Sequence, residues 1–188
     1  MVKEDKNRQV SFAPVSVLVL VLLIGLFVPA FAAPAWAASA SHNYYKGISS
    51  DKAAQADMIA QNIAASILAN PAYTTDLQKV NAAAQVVASY CTQAVYGTDA
   101  NRYYRSPYGV FISHNYTCAG STRALGRVLD YMGYTWVHSN ENQNSHQWCI
   151  LIMDGQQGFA DGMGGFAGYG LETSGMTLPG GRVVYFAG

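Results

Sequence analysis

The chain has 188 residues, of which 12% are charged, and its 11 basic and 11 acidic residues give a formal net charge of zero. Without a basic stripe to bind phosphates, this composition argues against nucleic-acid binding and against adsorption to an acidic lipid surface. The cysteines include no Cys-x-x-Cys pair, so their spacing does not indicate a zinc site.

The N-terminal segment has the order of a secretory signal peptide. Basic residues within positions 3–8 precede an apolar run over residues 15–28 and small residues suited to cleavage over residues 30–40. The run is short for a membrane span, which needs roughly 20 apolar residues. We therefore predict a signal peptide at residues 1–40, with an uncleaved anchor as the alternative, and a single domain at residues 41–188. The protein is expected to be secreted or at the cell surface, touching a membrane only through an uncleaved N-terminal segment.

Two amphipathic helices are predicted after a polar, irregular lead-in. The first covers residues 50–70 and ends before Pro71, since a proline pushes the preceding residue out of helical geometry. Its expected buried face contains Ala54, Met58, Ile59, Ile63 and Ile67. The second starts near Thr75 and stops at Gly97, and its apolar stripe contains Leu77, Val80, Ala84, Val87, Cys91 and Val95. We interpret Cys91 as a small core residue.

Cys118 opens the third predicted helix, after an aromatic loop over residues 98–116. This helix runs to Met132 and ends at Gly133, with the thiol on its inward face. In a first turn, the unpaired N–H groups and the helix dipole favour an anion, which lowers the pKa of a thiol and raises its reactivity. Two glycines should let another backbone approach closely: Gly120 and Gly126.

A histidine and an aspartate follow in two predicted strands. Residues 134–138 read as one strand and residues 146–153 as a longer one, joined by a polar loop. Asp154 and Gly155 then form a two-residue hairpin that sets Met153 opposite Gln156 and, further along, Trp148 opposite Asp161. That register puts Asp161 on the face of His146, roughly 7–8 Å away between α-carbons.

Cys118, His146 and Asp161 are therefore predicted to be catalytic, as a thiol nucleophile, its base and the group that orients the base. The backbone N–H of Cys118 is a natural oxyanion donor. The second donor stays open, with a tyrosine or asparagine ahead of Cys118 as the candidate. The histidines His114 and His138 are interpreted as loop or surface residues, and Cys149 as a buried residue that needs no disulfide with Cys91.

In this order and spacing, the residues resemble the transglutaminase-like cysteine enzymes of the papain-like superfamily. The resemblance covers residues 77–161 and rests on Cys-x-Gly at Cys118, His-x-Trp at His146, Asp-Gly at residues 154–155 and the aspartate at Asp161. It implies an α+β fold with a papain-like, transglutaminase-like core, in which the nucleophile helix packs on an antiparallel sheet. Two departures leave the substrate open: Tyr116 and Met163 stand where the family often has glycine and threonine.

The expected function is an exported cysteine-dependent amide hydrolase, a peptidase or deamidase, that acts on a protein or peptide through a thioester. Three alternatives remain: a protein-glutamine amine transferase, a cell-wall peptide hydrolase, and a non-catalytic binding domain. No cofactor and no metal are expected. Since the polar loop and the glycine-rich tail suggest an open, wet site, water is the expected acceptor of the acyl group.

Overall fold

The computed structural model describes residues 42–170, together with the backbone of residues 176–177 and 183–184. The predicted signal peptide at residues 1–40 lies outside these residues, as does most of the glycine-rich tail. The fold is α+β, as predicted: three helices combine with a four-stranded antiparallel sheet. Among the described residues, no helix has both the length and the apolar character needed to cross a membrane.

The first two helices lie where the sequence predicts them. Helix α1 spans Ser50–Leu68 and helix α2 spans Asp76–Thr92. A capping box begins α2: the Thr75 hydroxyl accepts from the Gln78 N–H at 3.2 Å, and the Gln78 side chain accepts from the Thr75 N–H at 3.1 Å. The helix ends well before Gly97, so Val95, which was expected on its buried stripe, is instead exposed.

The buried face of α1 agrees with the predicted one only in part: Ile63 and Ile67 are buried as predicted, but two other predicted residues are not. Met58 is 58% exposed and Ala54 is also exposed, whereas the buried positions are Ala56, Ala60, Ile63, Ala64 and Ile67. Three of these are alanines four residues apart, which share one helical face. Small side chains let the neighbouring helix approach closely, so contact area on this face outweighs the larger hydrophobicity of Met58.

Short elements fill the aromatic loop ahead of Cys118. Strand β1, Val95–Tyr96, pairs in parallel with strand β2, Asn115–Tyr116. Between them lie a 3-10 turn at Tyr103–Arg105 and a π-helical turn at Gly109–Ser113. The parallel pair brings residues that are distant in sequence to the start of the next helix.

Helix α3 spans Cys118–Met132, as predicted, and Gly133 ends it with a φ of 95°, a left-handed conformation that glycine adopts readily. The main sheet contains β3 at Trp136–His138, β4 at Cys149–Met153, β5 at Gln156–Asp161 and β6 at Phe166–Tyr169, in that spatial order. Helix α3 packs against β3, β4 and β5, and α2 packs against β6. The predicted packing of the Cys118 helix on an antiparallel sheet is therefore present.

The core lies between α3 and one face of this sheet. Cys149, Leu151 and Met153 alternate with more exposed residues along β4 and are buried against the helices. The predicted close approach at Gly126 involves the Trp136 side chain and not a backbone, since a Cβ there would lie 1.8 Å from the indole. Outside this sheet, β7 at Met176–Thr177 pairs with β8 at Val183–Val184.

The lead-in ahead of α1 is irregular, as predicted, but it is firmly packed. The His42 ring stacks on Trp136 with centroids 3.9 Å apart. The Tyr44 hydroxyl donates to the buried carboxylate of Asp130 at 2.6 Å, and the Trp136 indole N–H donates to the same carboxylate at 3.0 Å. These bonds satisfy a charge that is costly to bury and tie the lead-in to the end of α3.

Candidate active site

Cys118 lies in the first turn of α3, half-buried at the wall of a cleft. The helix start is fixed by close packing of the preceding 3-10 turn, because a Cβ on Gly120 would lie 2.3 Å from the Tyr104 carbonyl oxygen. The Thr117 N–H also donates to that carbonyl at 2.9 Å. Glycine at position 120 therefore allows the backbone contact that holds the thiol in place, as the sequence predicted.

His146 connects Cys118 to Asp161. The imidazole Nε2 lies 2.8 Å from Asp161 Oδ2, and His146 lies close enough to Cys118 to lower the pKa of its thiol. Since Nε2 is engaged by the carboxylate, Nδ1 is the nitrogen available to the thiol. The Cys118 sulfhydryl itself lies 3.9 Å from the carbonyl oxygen of Ser145, the residue before His146. The three predicted residues thus lie together at one site.

Asp161 is held more firmly than either partner. It is 1% exposed, and its Oδ1 accepts backbone N–H bonds from Met163 at 2.8 Å and Gly164 at 3.0 Å. Both oxygens therefore have partners, which offsets the cost of burying the charge. The carboxylate is fixed by the turn after β5 and in turn fixes the orientation of the imidazole.

These contacts favour a thiolate–imidazolium pair. Burial by itself would raise the pKa of the Cys118 thiol, but the hydrogen bond and charge of His146 outweigh it, and the pKa is lowered. Burial likewise lowers the pKa of His146, but the hydrogen bonds to Asp161 and Cys118 prevail and raise it to about 9. At neutral pH the pair is therefore poised for nucleophilic attack.

The hairpin that carries Asp161 has the predicted register. Met153 pairs with Gln156, and the ladder continues to Cys149 opposite Ala160. Strand β4 is shorter than the strand predicted at residues 146–153. Its regular pairing begins at Cys149, so His146 lies in the preceding loop. Instead, the Asn140 side chain donates to the His146 carbonyl at 3.0 Å and positions it.

The interpretation of His138 as a loop or surface histidine is wrong. It lies at the end of β3, is 9% exposed, and its Nε2 lies 2.8 Å from Gln147 Oε1. The Gln147 backbone N–H in turn helps to lower the pKa of the Cys118 thiol. In the sequence, the only sign of this burial was the position of His138 at the end of a short predicted strand. Nothing in the sequence indicated the contact with Gln147.

Tyr96 is a further residue at the thiol. Its hydroxyl lies close enough to Cys118 to help lower the pKa of the thiol, and its ring packs edge-on against Tyr116 with centroids 5.4 Å apart. Burial, followed by the charge of Cys118, raises the pKa of Tyr96, so the hydroxyl keeps its proton and donates. The parallel pairing of β1 with β2 brings Tyr96 to the start of the Cys118 helix, a position that the sequence did not indicate.

The other cysteines are free thiols buried away from the cleft, as their apolar positions predicted. Burial raises the pKa of Cys91 to about 12 and that of Cys149 well above its usual value. The Cys149 sulfhydryl donates to the Thr122 carbonyl at 3.5 Å. Neither group has the histidine partner that activates Cys118.

The cleft beside Cys118 has a volume of about 680 Å³ and a largely polar lining. One wall is the loop over residues 142–147, rich in amide side chains, and the other comes from Tyr96 and the 3-10 turn. Within residues 42–170, no group of three or more His, Cys, Asp or Glu side chains is arranged to bind a metal ion.

No model of a known protein family matches this chain, and no curated protein sequence matches it. The geometry and chemistry of the cleft are therefore the basis on which a function can be proposed.

Proposed function

We propose that the protein is an exported cysteine-dependent amide hydrolase with a papain-like, transglutaminase-like core. The observation that carries this proposal is the grouping of Cys118 with the hydrogen-bonded pair of His146 and Asp161, at a helix N-terminus beside a cleft. A lowered thiol pKa next to a raised imidazole pKa is the pattern that nucleophilic catalysis requires. Purely structural cysteines, such as the two buried ones, show the opposite shift.

The reaction would proceed by acyl transfer to sulfur. The Cys118 thiolate attacks the amide carbonyl carbon, and the C–N bond then breaks as His146 Nδ1–H gives its proton to the departing nitrogen. A thioester on Cys118 and a free amine or ammonia result. A water molecule, losing its proton to His146, then attacks the thioester carbonyl and releases a carboxylic acid and the thiolate.

Two groups would stabilise the oxyanion of each tetrahedral intermediate. The backbone N–H of Cys118 belongs to the first turn of α3, where N–H groups point out of the helix end. The Tyr96 hydroxyl lies near enough to the sulfur to help lower the thiol pKa, so it can donate to the oxygen that develops beside that sulfur. Removing one such donor typically costs roughly 10²–10³-fold in kcat.

The alternatives differ in what they require of this cleft. A protein-glutamine amine transferase must protect the thioester from water, whereas polar amide side chains at residues 142–144 line this cleft beside the half-buried thiol. Hydrolysis is therefore favoured over transfer. A cell-wall peptide hydrolase would use the same groups on a different peptide. A non-catalytic binding domain would have no use for a lowered Cys118 pKa.

A single mixed assay tests these functions. The purified protein is offered a pool of glutamine-containing peptides and a labelled primary amine, and ammonia, new N-termini and incorporated label are measured together. New N-termini, or ammonia released in excess of incorporated label, that vanish in Cys118→Ala would support hydrolysis. Because transfer also releases one ammonia for each amine incorporated, label that appears mole for mole with ammonia would identify a transferase. Product formation that survives in Cys118→Ala would refute the proposed mechanism.

A further inference from the structure

Arg105 has an unusual position beside the thiol. It ends the 3-10 turn that rests on the start of α3, is half-buried, and lines the cleft that contains Cys118. It also lines a second, smaller pocket of about 170 Å³. Two further residues are shared by both pockets, Arg123 and Asn142, so the pockets adjoin.

The two shared arginines differ in their partners. Arg123 is 8% exposed, pairs with Glu141 at 2.8 Å, and donates to the Arg105 carbonyl at 3.2 Å. Its charge is thus neutralised, and it acts as a backbone support for the neighbouring arginine. Among the described residues, no carboxylate forms an ion pair with Arg105.

The other charged residues around Arg105 do not neutralise its charge. No aspartate or glutamate lines the larger cleft, and the smaller pocket adds Lys46 to the arginines while its one acid, Glu141, is engaged by Arg123. The surroundings of Arg105 therefore carry excess positive charge. A guanidinium presents a planar set of donors that matches a carboxylate in two parallel hydrogen bonds.

We propose that Arg105 binds a carboxylate of the substrate next to the scissile amide, so that the preferred substrates are carboxylate-bearing peptides. This inference rests on the proposed function for the reaction, but the binding of a carboxylate does not depend on turnover. The carboxylate is supplied by an acidic side chain or by a peptide C-terminus, and the two sources share the same recognition chemistry. Amide groups at residues 142–144 line the same cleft and can accept the rest of the peptide.

Two alkylating reagents that differ by one charge test the site without a substrate. Iodoacetate and iodoacetamide both lose iodide to the Cys118 thiolate, but only iodoacetate carries a carboxylate. The rate with iodoacetate divided by the rate with iodoacetamide, followed by mass spectrometry, should fall roughly three- to tenfold in Arg105→Gln at low ionic strength. It should be retained in Arg105→Lys, which keeps the charge, and in the matched control Arg102→Gln, which removes an exposed arginine that lines neither pocket.

Three dipeptides then distinguish the source of the carboxylate. Acetyl-Gln-Glu-amide carries it on a side chain, acetyl-Gln-Gln with a free terminus carries it on the backbone, and acetyl-Gln-Gln-amide is neutral. Greater protection of Cys118 from iodoacetamide by either charged peptide, lost in Arg105→Gln, supports the assignment and identifies the source. Equal protection by all three, protection by none, or a reagent ratio unchanged in Arg105→Gln overturns it. Alkylation of Cys118 no faster than that of the buried thiols would refute the proposed function, while the reagent ratio would still report on Arg105.

Discussion

Replacing Asp161 by asparagine should remove most of the activity and preserve the fold. Asp161 Oδ1 accepts from the N–H groups of Met163 and Gly164, and Oδ2 lies 2.8 Å from His146 Nε2. An asparagine has only one acceptor oxygen. Two backbone donors compete for it on one side and a single ring nitrogen on the other, so the oxygen should stay with the backbone and the amide N–H should face the imidazole.

That orientation reverses the tautomer of His146. With an N–H donor facing it, Nε2 must act as an acceptor, and the ring proton moves to Nδ1, which faces the thiol. A neutral imidazole protonated at Nδ1 cannot take the proton of Cys118. The Asp161→Asn protein should therefore contain far less thiolate at neutral pH, although no atom of the thiol or the imidazole has been removed.

The size of the loss can be bounded from both sides. Burial opposes protonation of His146, but its hydrogen bonds raise the pKa from 6.5 to about 9. After allowance for solvent at the ring edge, that rise is worth ~2 kcal/mol, or roughly thirtyfold in rate. The corresponding change in a serine triad costs roughly 10⁴-fold. We expect a loss near ~10³-fold, between these bounds.

The assay follows the alkylation rate of Cys118 against pH, together with turnover of the peptides that the wild-type protein hydrolyses. In wild type the thiolate–imidazolium pair should persist until the pH passes about 9, where His146 loses its proton. In Asp161→Asn that limb should move toward neutral pH. Asp154→Asn is the matched control, since Asp154 also accepts two backbone N–H bonds but lies at the far turn of the hairpin. Activity of Asp161→Asn within a few-fold of wild type, with unchanged circular dichroism, would mean that another residue orients His146.

Three further predictions follow from the same contacts. Brief treatment with iodoacetamide should label Cys118 before the two buried thiols, whose pKa values are raised by burial; peptide mapping that finds a buried thiol labelled first would contradict the assignment. Tyr96→Phe should lower kcat by roughly 10²-fold with little effect on the melting temperature, because it removes one oxyanion donor from a largely exposed ring; an unchanged kcat would exclude the hydroxyl from that role. Gly126→Ala should destabilise the fold by ~1–3 kcal/mol in urea titration, since a Cβ 1.8 Å from the buried indole outweighs a gain of ~1 kcal/mol in helix propensity; equal or greater stability would show that the indole can move.

The features that the sequence predicted well depend on local signals. The bounds of α3 follow from an apolar stripe ending at a glycine, and the register of β4 with β5 follows from the two turn residues Asp154 and Gly155. Both turn residues have positive φ angles, 50° and 77°, as such a hairpin requires. Once that turn is fixed, strand alternation determines the side of the sheet on which Asp161 lies.

The features that the sequence missed depend on contacts between distant segments. Tyr96 reaches the thiol only because β1 pairs with β2, and a two-residue parallel pair has no pattern of its own. The face of α1 was misjudged because hydrophobicity ranks methionine above alanine, whereas close helix packing favours the smaller residue. Arg105 had no signal at all, since its importance depends on which arginine Glu141 neutralises.

Two histidines at the site differ in charge at neutral pH: His138 is neutral, and His146 is protonated. Burial, followed by the charge of Arg123, lowers the pKa of His138 to about 4, whereas Asp161 overrides burial and raises that of His146 to about 9. Compared with the folded protein, the unfolded chain binds more protons at His138 below about pH 6.5. It binds fewer protons at His146 above about pH 6.5. His138 therefore contributes stability that is lost as the pH falls from about 6.5 toward 4, and His146 contributes stability that is lost as the pH rises from about 6.5 toward 9. Between these limits a neutral His138 supports Gln147, whose backbone N–H lowers the pKa of the Cys118 thiol, while a charged His146 lowers the pKa of the same thiol more strongly. Both residues are histidines, so their surroundings cause the difference. Burial and the neighbouring charges determine which histidine supports the loop and which one carries the proton.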